Sequence, residues 1–288
     1  MKRNRAAVVV CIAAFICMVF FAVRYVDLRG RYKMDKAYAF VCVEQDGYHD
    51  LQKEEHVKGT YLAEGNLMVE ADSIHKKAET TLLTVNFSPE DIFGAGTGFI
   101  QQDTEGCMLS SVLADRLFGN RNIIGLLVAV NGKKYPVRTV FDSEDAIMII
   151  QCEHTDDVNR GLMKSRSISG VVLDVSDEMY RGQYAEEVGV RHNIGVDSYY
   201  YVSDYLDIFP KLGLPTKLSD FDIWSKWSKE LHIISDRRTY HNKDIIETFY
   251  YRIYNKLQGY RMDILIACIL FAIAFIKCIS DQRRSAEK

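Results

Sequence analysis

Three short stretches carry side chains that could do chemistry. "GAGTG", residues 94–98, is rich enough in glycine to cradle a phosphate. A phosphate loop needs a strand before it, a helix directly after it and a lysine within reach of the phosphates. None of these is correctly placed, so the stretch reads as a flexible loop. "CEHTDD", residues 152–157, gathers thiol, imidazole and carboxylate groups. Metal ligands converge from spacings such as H-E-x-x-H or paired C-x-x-C, whereas adjacent residues alternate in direction. That stretch reads as a solvated loop. "SSVLADR", residues 110–116, brings Ser110 and Ser111 near Asp115, the raw material of nucleophilic catalysis. The serines lie in no G-x-S-x-G elbow and open no S-x-x-K motif. Helix capping is the better account of them.

The seven histidines are dispersed, and His192 and His241 sit among polar residues as surface groups would. Tyr199, Tyr200 and Tyr201 could form a binding surface or could be ordinary strand and core residues. The expectation is therefore no catalytic, cofactor-binding or metal-ligating residue, and a non-enzymatic protein.

The elements that would position these residues begin with the two ends. The chain has 288 residues, a net charge of −3 and 48% hydrophobic residues, without the polybasic character of a nucleic-acid binder. "MKRNR" is followed by an apolar run from Ala6 to Val23. A bilayer takes ~20 apolar residues, with a lower limit of ~17. No A-x-A cleavage pattern follows, so the run reads as an uncleaved anchor. Near the other end, Ile264–Ile276 is apolar all round, and snorkelling of Lys277 extends the span to Met262–Ser280. Lys2, Arg3 and Arg5 precede the first run; Arg283, Arg284 and Lys288 follow the second. The positive-inside rule then places both termini in the cytoplasm.

The expected organisation is a cytoplasmic N-terminus (1–5), a transmembrane helix (6–24), an extracytoplasmic domain (25–260), a second transmembrane helix (261–280) and a cytoplasmic tail (281–288). Cys11, Cys17, Cys268 and Cys278 fall in the spans. Cys42, Cys107 and Cys152 remain outside, where one disulfide or three buried thiols would both fit. Ala13, Ala14, Ala267, Ala272 and Ala274 are small enough to let other membrane helices approach closely. With so few polar groups in the spans, a channel lined by this chain alone is not expected.

Within the domain, strands are expected over 36–45, 80–87 and 168–175, with 60–72 ambiguous or a strand pair. Ser88 and Pro89 suit the start of a helical turn. "GCML" reads as a strand; Ser110 can cap a helix whose apolar face is Val112, Leu113, Leu117 and Phe118, and Gly119 suits its C′ position. "LLVAV" reads as a continuously buried strand. Asn131-Gly132 signals a type I′ hairpin into "KKYPVRTVF", where Tyr135, Val137, Thr139 and Phe141 alternate with Pro136, an edge or non-pairing residue. "DAIMII" adds a strand. Residues 177–190 could be helix or loop. Residues 220–234 form an amphipathic helix, and 242–262 a helix that continues into the second span as a stalk.

Residues 84–141 resemble the MacB-like periplasmic core domain family of ABC-transporter permeases. The matching pieces are Ser88-Pro89-Glu90-Asp91, Gly98-Phe99 with Asp103, Ala114 to Gly119, Ile124-Gly125, and Asn131-Gly132-Lys133 with Tyr135, Val137 and Val140. The sequence departs from the pattern at "RTVFD", where a glycine is usual, and it stops where full permeases carry further spans. It also has no Walker motif of its own. The resemblance implies an α+β fold, a mixed α/β extracytoplasmic domain of that core type between two transmembrane helices. It also implies ABC ATPase or permease subunits, or further copies of the chain, as partners. The expected function is an accessory or permease-like component of an ABC-type transport or mechanotransmission complex. The alternative is a stand-alone anchored binding or sensor protein.

Overall fold

The computed structural model describes residues 2–32, 38–42, 56–93, 103–152, 169–176, 178, 180–192, 199–201, 221–237 and 244–286. The 94–98 glycine stretch, residues 153–157 and His241 lie outside them. Met34–Tyr250 forms one compact unit; Met1–Lys33 with Tyr251–Lys288 forms a second.

The first unit is a mixed helix and strand domain with nine described strands: β1 (Tyr38–Cys42), β2 (Val57–Ala71), β3 (Lys76–Val85), β4 (Cys107–Ser110), β5 (Leu127–Val130), β6 (Lys133–Phe141), β7 (Ile147–Gln151), β8 (Gly170–Asp174) and β9 (Tyr199–Tyr201). The pairings β2–β3, β3–β7, β7–β4, β4–β6, β6–β5 and β5–β2 close a circuit of six strands. Pairs β3–β7 and β4–β6 are parallel and the others antiparallel. The start of β2 instead pairs with β8, which continues through β1 to β9.

The length of β2 explains why residues 60–72 are ambiguous in sequence. They are one strand, not two, broken only by a bulge between Glu64 and Leu67, where Asn66 takes φ 59°. The extra residues give local twist and separate the part of β2 that pairs with β8 (Val57–Tyr61) from the part that pairs with β5 (Val69–Ala71). "LLVAV" also differs from expectation. Val128 and Val130 are buried while Leu126 and Leu127 are exposed, because only one face of β5 looks into the closed circuit. Strand β6 is internal, not an edge. Pro136 is tolerated because it lies opposite Leu127 and before Val137, where pairing with β4 begins.

Inward side chains of the six strands form one core: Val69, Ala71, Leu82, Leu109, Val128, Val130, Tyr135, Val137, Met148 and Ile150 among them. Helix α3 (Ser111–Phe118) adds Leu113, Ala114 and Leu117 to the same cluster. Four further helices belong wholly or partly to this unit: α2 (Glu90–Phe93), α4 (Arg181–Arg191), α5 (Phe221–Arg237) and the first turns of α6 (Ile245–Ala286).

The second unit pairs α1 (Lys2–Tyr32) with the rest of α6. Both helices are long and apolar enough to cross a membrane. In α1 the covered positions include Cys11, Ala14, Met18, Phe21, Tyr25, Leu28 and Tyr32; in α6 they include Tyr260, Ile264, Ala267, Phe271, Ala274 and Cys278. Steps of three and four residues repeat on both, the heptad spacing of a left-handed helix pair. The pair is antiparallel: Phe15 meets Phe271 (6.4 Å between rings), Met18 meets Cys268, and Arg261 donates to the Tyr25 hydroxyl (3.0 Å). The alanines divide accordingly. Ala14, Ala267 and Ala274 are buried in this seam, whereas Ala13 and Ala272 face outward. Close approach is thus used first within the chain.

Candidate functional site

Ser110 and Ser111 are buried and occupied structurally. Ser110 caps α3: its hydroxyl accepts from Leu113 N–H (3.2 Å) and also from Ile147 N–H at the start of β7 (3.0 Å). The Ser111 hydroxyl donates to the Ser143 carbonyl (3.1 Å) and accepts from Ser143 N–H (3.3 Å), with the Asp142 carboxylate 3.3 Å away. Asp115 is on the exposed face of α3, paired with Arg121 (3.1 Å). The structure therefore does not bring Asp115 to the serines. Gly119 closes the helix at φ 69°, donating to Asp115 O. The unit is a brace between β4, α3, β6 and β7.

Asp103, quoted above only as part of a motif, clasps the segment before β4 to β6. One carboxylate oxygen accepts from the Gly106 and Glu105 amides (2.9 and 3.1 Å), and the other from Arg138 Nε (2.6 Å). Burial would raise this carboxyl, but the Arg138 guanidinium and the two amides hold it below the ordinary carboxylate range. Beside it, burial pushes the Cys107 thiol far up, which makes it inert rather than nucleophilic. Burial, then the neighbouring Cys107, lifts the Tyr135 hydroxyl to about 12. Cys107 and Cys152 are free thiols. Among the described residues, no three His, Cys, Asp or Glu side chains converge as metal ligands would. His192 stands at the C-terminal end of α4. Tyr199–Tyr201 is strand β9, paired to β1.

The constellation with a functional look is the root of α6. Asp244 caps this helix, accepting from Glu247 N–H through its carboxylate (3.3 Å) and from Thr248 N–H through its carbonyl (3.0 Å). In the next turn Phe249 and Tyr250 are 2% and 0% exposed. Phe249 lies 5.1 Å from Phe93 and 6.0 Å from Phe141, and those two rings are 5.3 Å apart. The Tyr250 hydroxyl donates to the Ile92 carbonyl in α2. Each buried ring contributes about 1.5–3 kcal/mol of transfer free energy, and pair geometry adds to that. Short helix α2, the end of strand β6 and the start of α6 thus pack on one another within the domain. From it α6 runs unbroken to Ala286. The aromatic run "FYY" at 249–251 is the signal that could have marked this place, and the sequence reading passed over it; its partners Phe93 and Phe141, far away in sequence, were not legible.

No family model matches this chain, and no curated protein matches it. Solved structures similar to it include the periplasmic region of MacB from Actinobacillus actinomycetemcomitans, at 12% identity and TM-score 0.43, covering 58% of this chain and 88% of that one. Another is the extracellular domain of the noncanonic ABC-type transporter YknZ from Gram-positive bacteria, at 14% identity and TM-score 0.41, covering 57% and 98%.

Proposed function

We propose that this protein is a membrane-anchored, permease-like or accessory component of an ABC-type transport or mechanotransmission complex, and that it performs no chemistry of its own. The observation that carries this reading is α6: its first turns are locked into the domain by Phe249 and Tyr250, and the same helix continues through an apolar stretch long enough to span a bilayer. A helix rigid at its root can pass movement between domain and membrane, as a hinge or shear element does. The motif resemblance over 84–141 points to ABC machinery as the source of that movement. In this reading residues 6–24 and 261–280 span, residues 25–260 lie outside the cytoplasm, and both ends lie inside. An ATPase subunit, a permease subunit or a second copy completes the assembly, because two helices make no transport pathway.

Purification of the full chain in mild detergent, followed by cross-linking and mass spectrometry, tests the proposal. An ATPase or multi-span partner is expected. Partner contact must use the outward face, so Ala13→Phe with Ala272→Phe weakens capture. Ser111→Ala and Asp115→Ala leave function unchanged apart from stability. A lone monomer, untouched by the outward substitutions, favours an anchored sensor instead; hydrolytic activity lost in Ser111→Ala favours an enzyme.

A further inference from the structure

The seam between α1 and α6 keeps one register. Phe15 faces Phe271, Met18 faces Cys268 and Tyr25 faces Arg261, so every step forward on α1 matches an equal step back on α6. That register puts Arg24 and Arg261 at one depth, with Arg29 and Lys256 together about a turn and a half further along. The apolar run fixes what that depth is. Ala6 to Val23 makes about 27 Å of helix, close to the hydrocarbon thickness of a bilayer, and Arg24 is the next residue. On the apolar side of this level Val19, Phe20 and Val23 of α1 and Leu265, Ile266 and Ile269 of α6 are exposed. In a spanning pair, Arg24 and Arg261 therefore stand where lipid phosphates lie.

Both guanidiniums are held by rings rather than by carboxylates. Arg24 lies 5.4 Å from the centre of the Phe20 ring. Arg261 lies 5.3 Å from that of Tyr25 and donates to its hydroxyl (3.0 Å). Among the described residues neither makes an ion pair, and Arg261 Nε is buried without a hydrogen-bond partner. A guanidinium over a ring keeps its planar N–H fork at the edge, the geometry that matches a phosphate. The acidic residues at this end do not cancel the charge. Asp27 is paired with Arg31 (2.7 Å), and Asp263 stands against Arg24, Arg29, Lys256 and Arg261. We propose that this collar binds the phosphates of acidic phospholipids, with Arg24 and Arg261 making the contacts and Arg29 and Lys256 adding to the field. The exposed apolar side chains beside it receive the acyl chains, which a free anion lacks. Zwitterionic lipids bind less well, because the same field repels their cationic group. The site rests on the reading that α1 and α6 span a bilayer and needs no ABC partner.

The test uses the full chain in phosphatidylcholine vesicles. These contain a low, equal fraction of either phosphatidylglycerol or phosphatidylcholine with a photoreactive diazirine at the start of one acyl chain. Adducts are mapped by mass spectrometry. Around residues 19–27 and 258–266, the glycerol lipid is expected to exceed the choline lipid by about threefold or more. The ratio should fall to about one in about 1 M salt, an arm that needs no variant to fold. It should fall likewise in Arg24→Gln with Arg261→Gln, and persist in Arg283→Gln with Arg284→Gln at the opposite end. Equal labelling by the two lipids in the wild type, or a preference that survives Arg24→Gln with Arg261→Gln, overturns the proposal while leaving the spans in place. Absence of adducts from either lipid along both apolar runs removes the spans themselves, and the proposal with them.

Discussion

Two positions test the physical account at the level of single residues. Asn131 and Gly132 take φ 49° and 82° at the tip between β5 and β6. A Cβ at Gly132 would meet nothing within 4 Å, so substitution there isolates the backbone effect. Gly132→Val is expected to destabilise the protein by about 1 kcal/mol or more, and Gly132→Asn by less, since Asn tolerates left-handed backbone. Chemical denaturation of the full chain in detergent measures both, and equal stability of Val and wild type would remove the turn from the account. Asp103 makes a prediction about pH. Its folded carboxyl lies below the unfolded value of about 3.9, so its contribution is complete above that value and is lost as pH falls through the folded one. Asp103→Asn is expected to be less stable than wild type at neutral pH and to lose less further stability on acidification below about pH 4. Parallel slopes for the two proteins in that acid range would mean that the Arg138 pairing does not set this titration.

At the scale of elements, helix α4 borrows its N-terminal cap from another helix. Helix α4 has Tyr180 at its N-cap and no side-chain cap of its own. Glu230 on α5 supplies what is missing: one carboxylate oxygen accepts from Gly182 N–H (2.6 Å) and the other from Gln183 N–H (3.1 Å). A buried carboxylate is tolerable there because free amides and the helix dipole both favour negative charge. Lys229 reinforces the pairing by reaching Glu186 (3.4 Å). Glu230→Ala should cost about 1–2 kcal/mol. It should also speed amide exchange at residues 182–185 before the rest of the domain opens. Uniform exchange through α4 in the variant would show that another group caps the helix. The same logic places Asp244 at the head of α6, where the cap comes from the local sequence.

For the whole molecule, the proposed topology makes a direct prediction. With maleimide added outside intact cells, Asn131→Cys should label, and Arg5→Cys and Ser285→Cys should not, each in a background lacking reactive outer thiols. Labelling of either terminal position would remove the arrangement with both ends in the cytoplasm. The heptad seam adds a second check. Ala14→Phe with Ala274→Phe should spread α1 from α6, because both side chains are buried between them. Ala13→Phe with Ala272→Phe should leave that pair intact, and cross-linking between cysteines placed at 15 and 271 reads the difference.

Local physics was legible without any structure. Ser110 as a cap, Gly119 and Gly132 at positive φ, the alternation along β6 and the helical continuity of 245–262 all depend on residues a few positions apart. The two apolar runs were legible for the same reason, since length and composition decide whether a helix can span. Tertiary structure decided what depends on distant partners. The sequence of β2 could not reveal that its bulge separates a part paired with β8 from a part paired with β5. Pro136 could not announce that its strand is internal. Glu230 could not show that it serves a helix 48 residues away. Ala14 and Ala274 could not disclose that they face each other's helices rather than a partner. Each of these outcomes turns on which surfaces meet when the chain closes, and that is settled by the packing of the whole core rather than by neighbours along the chain.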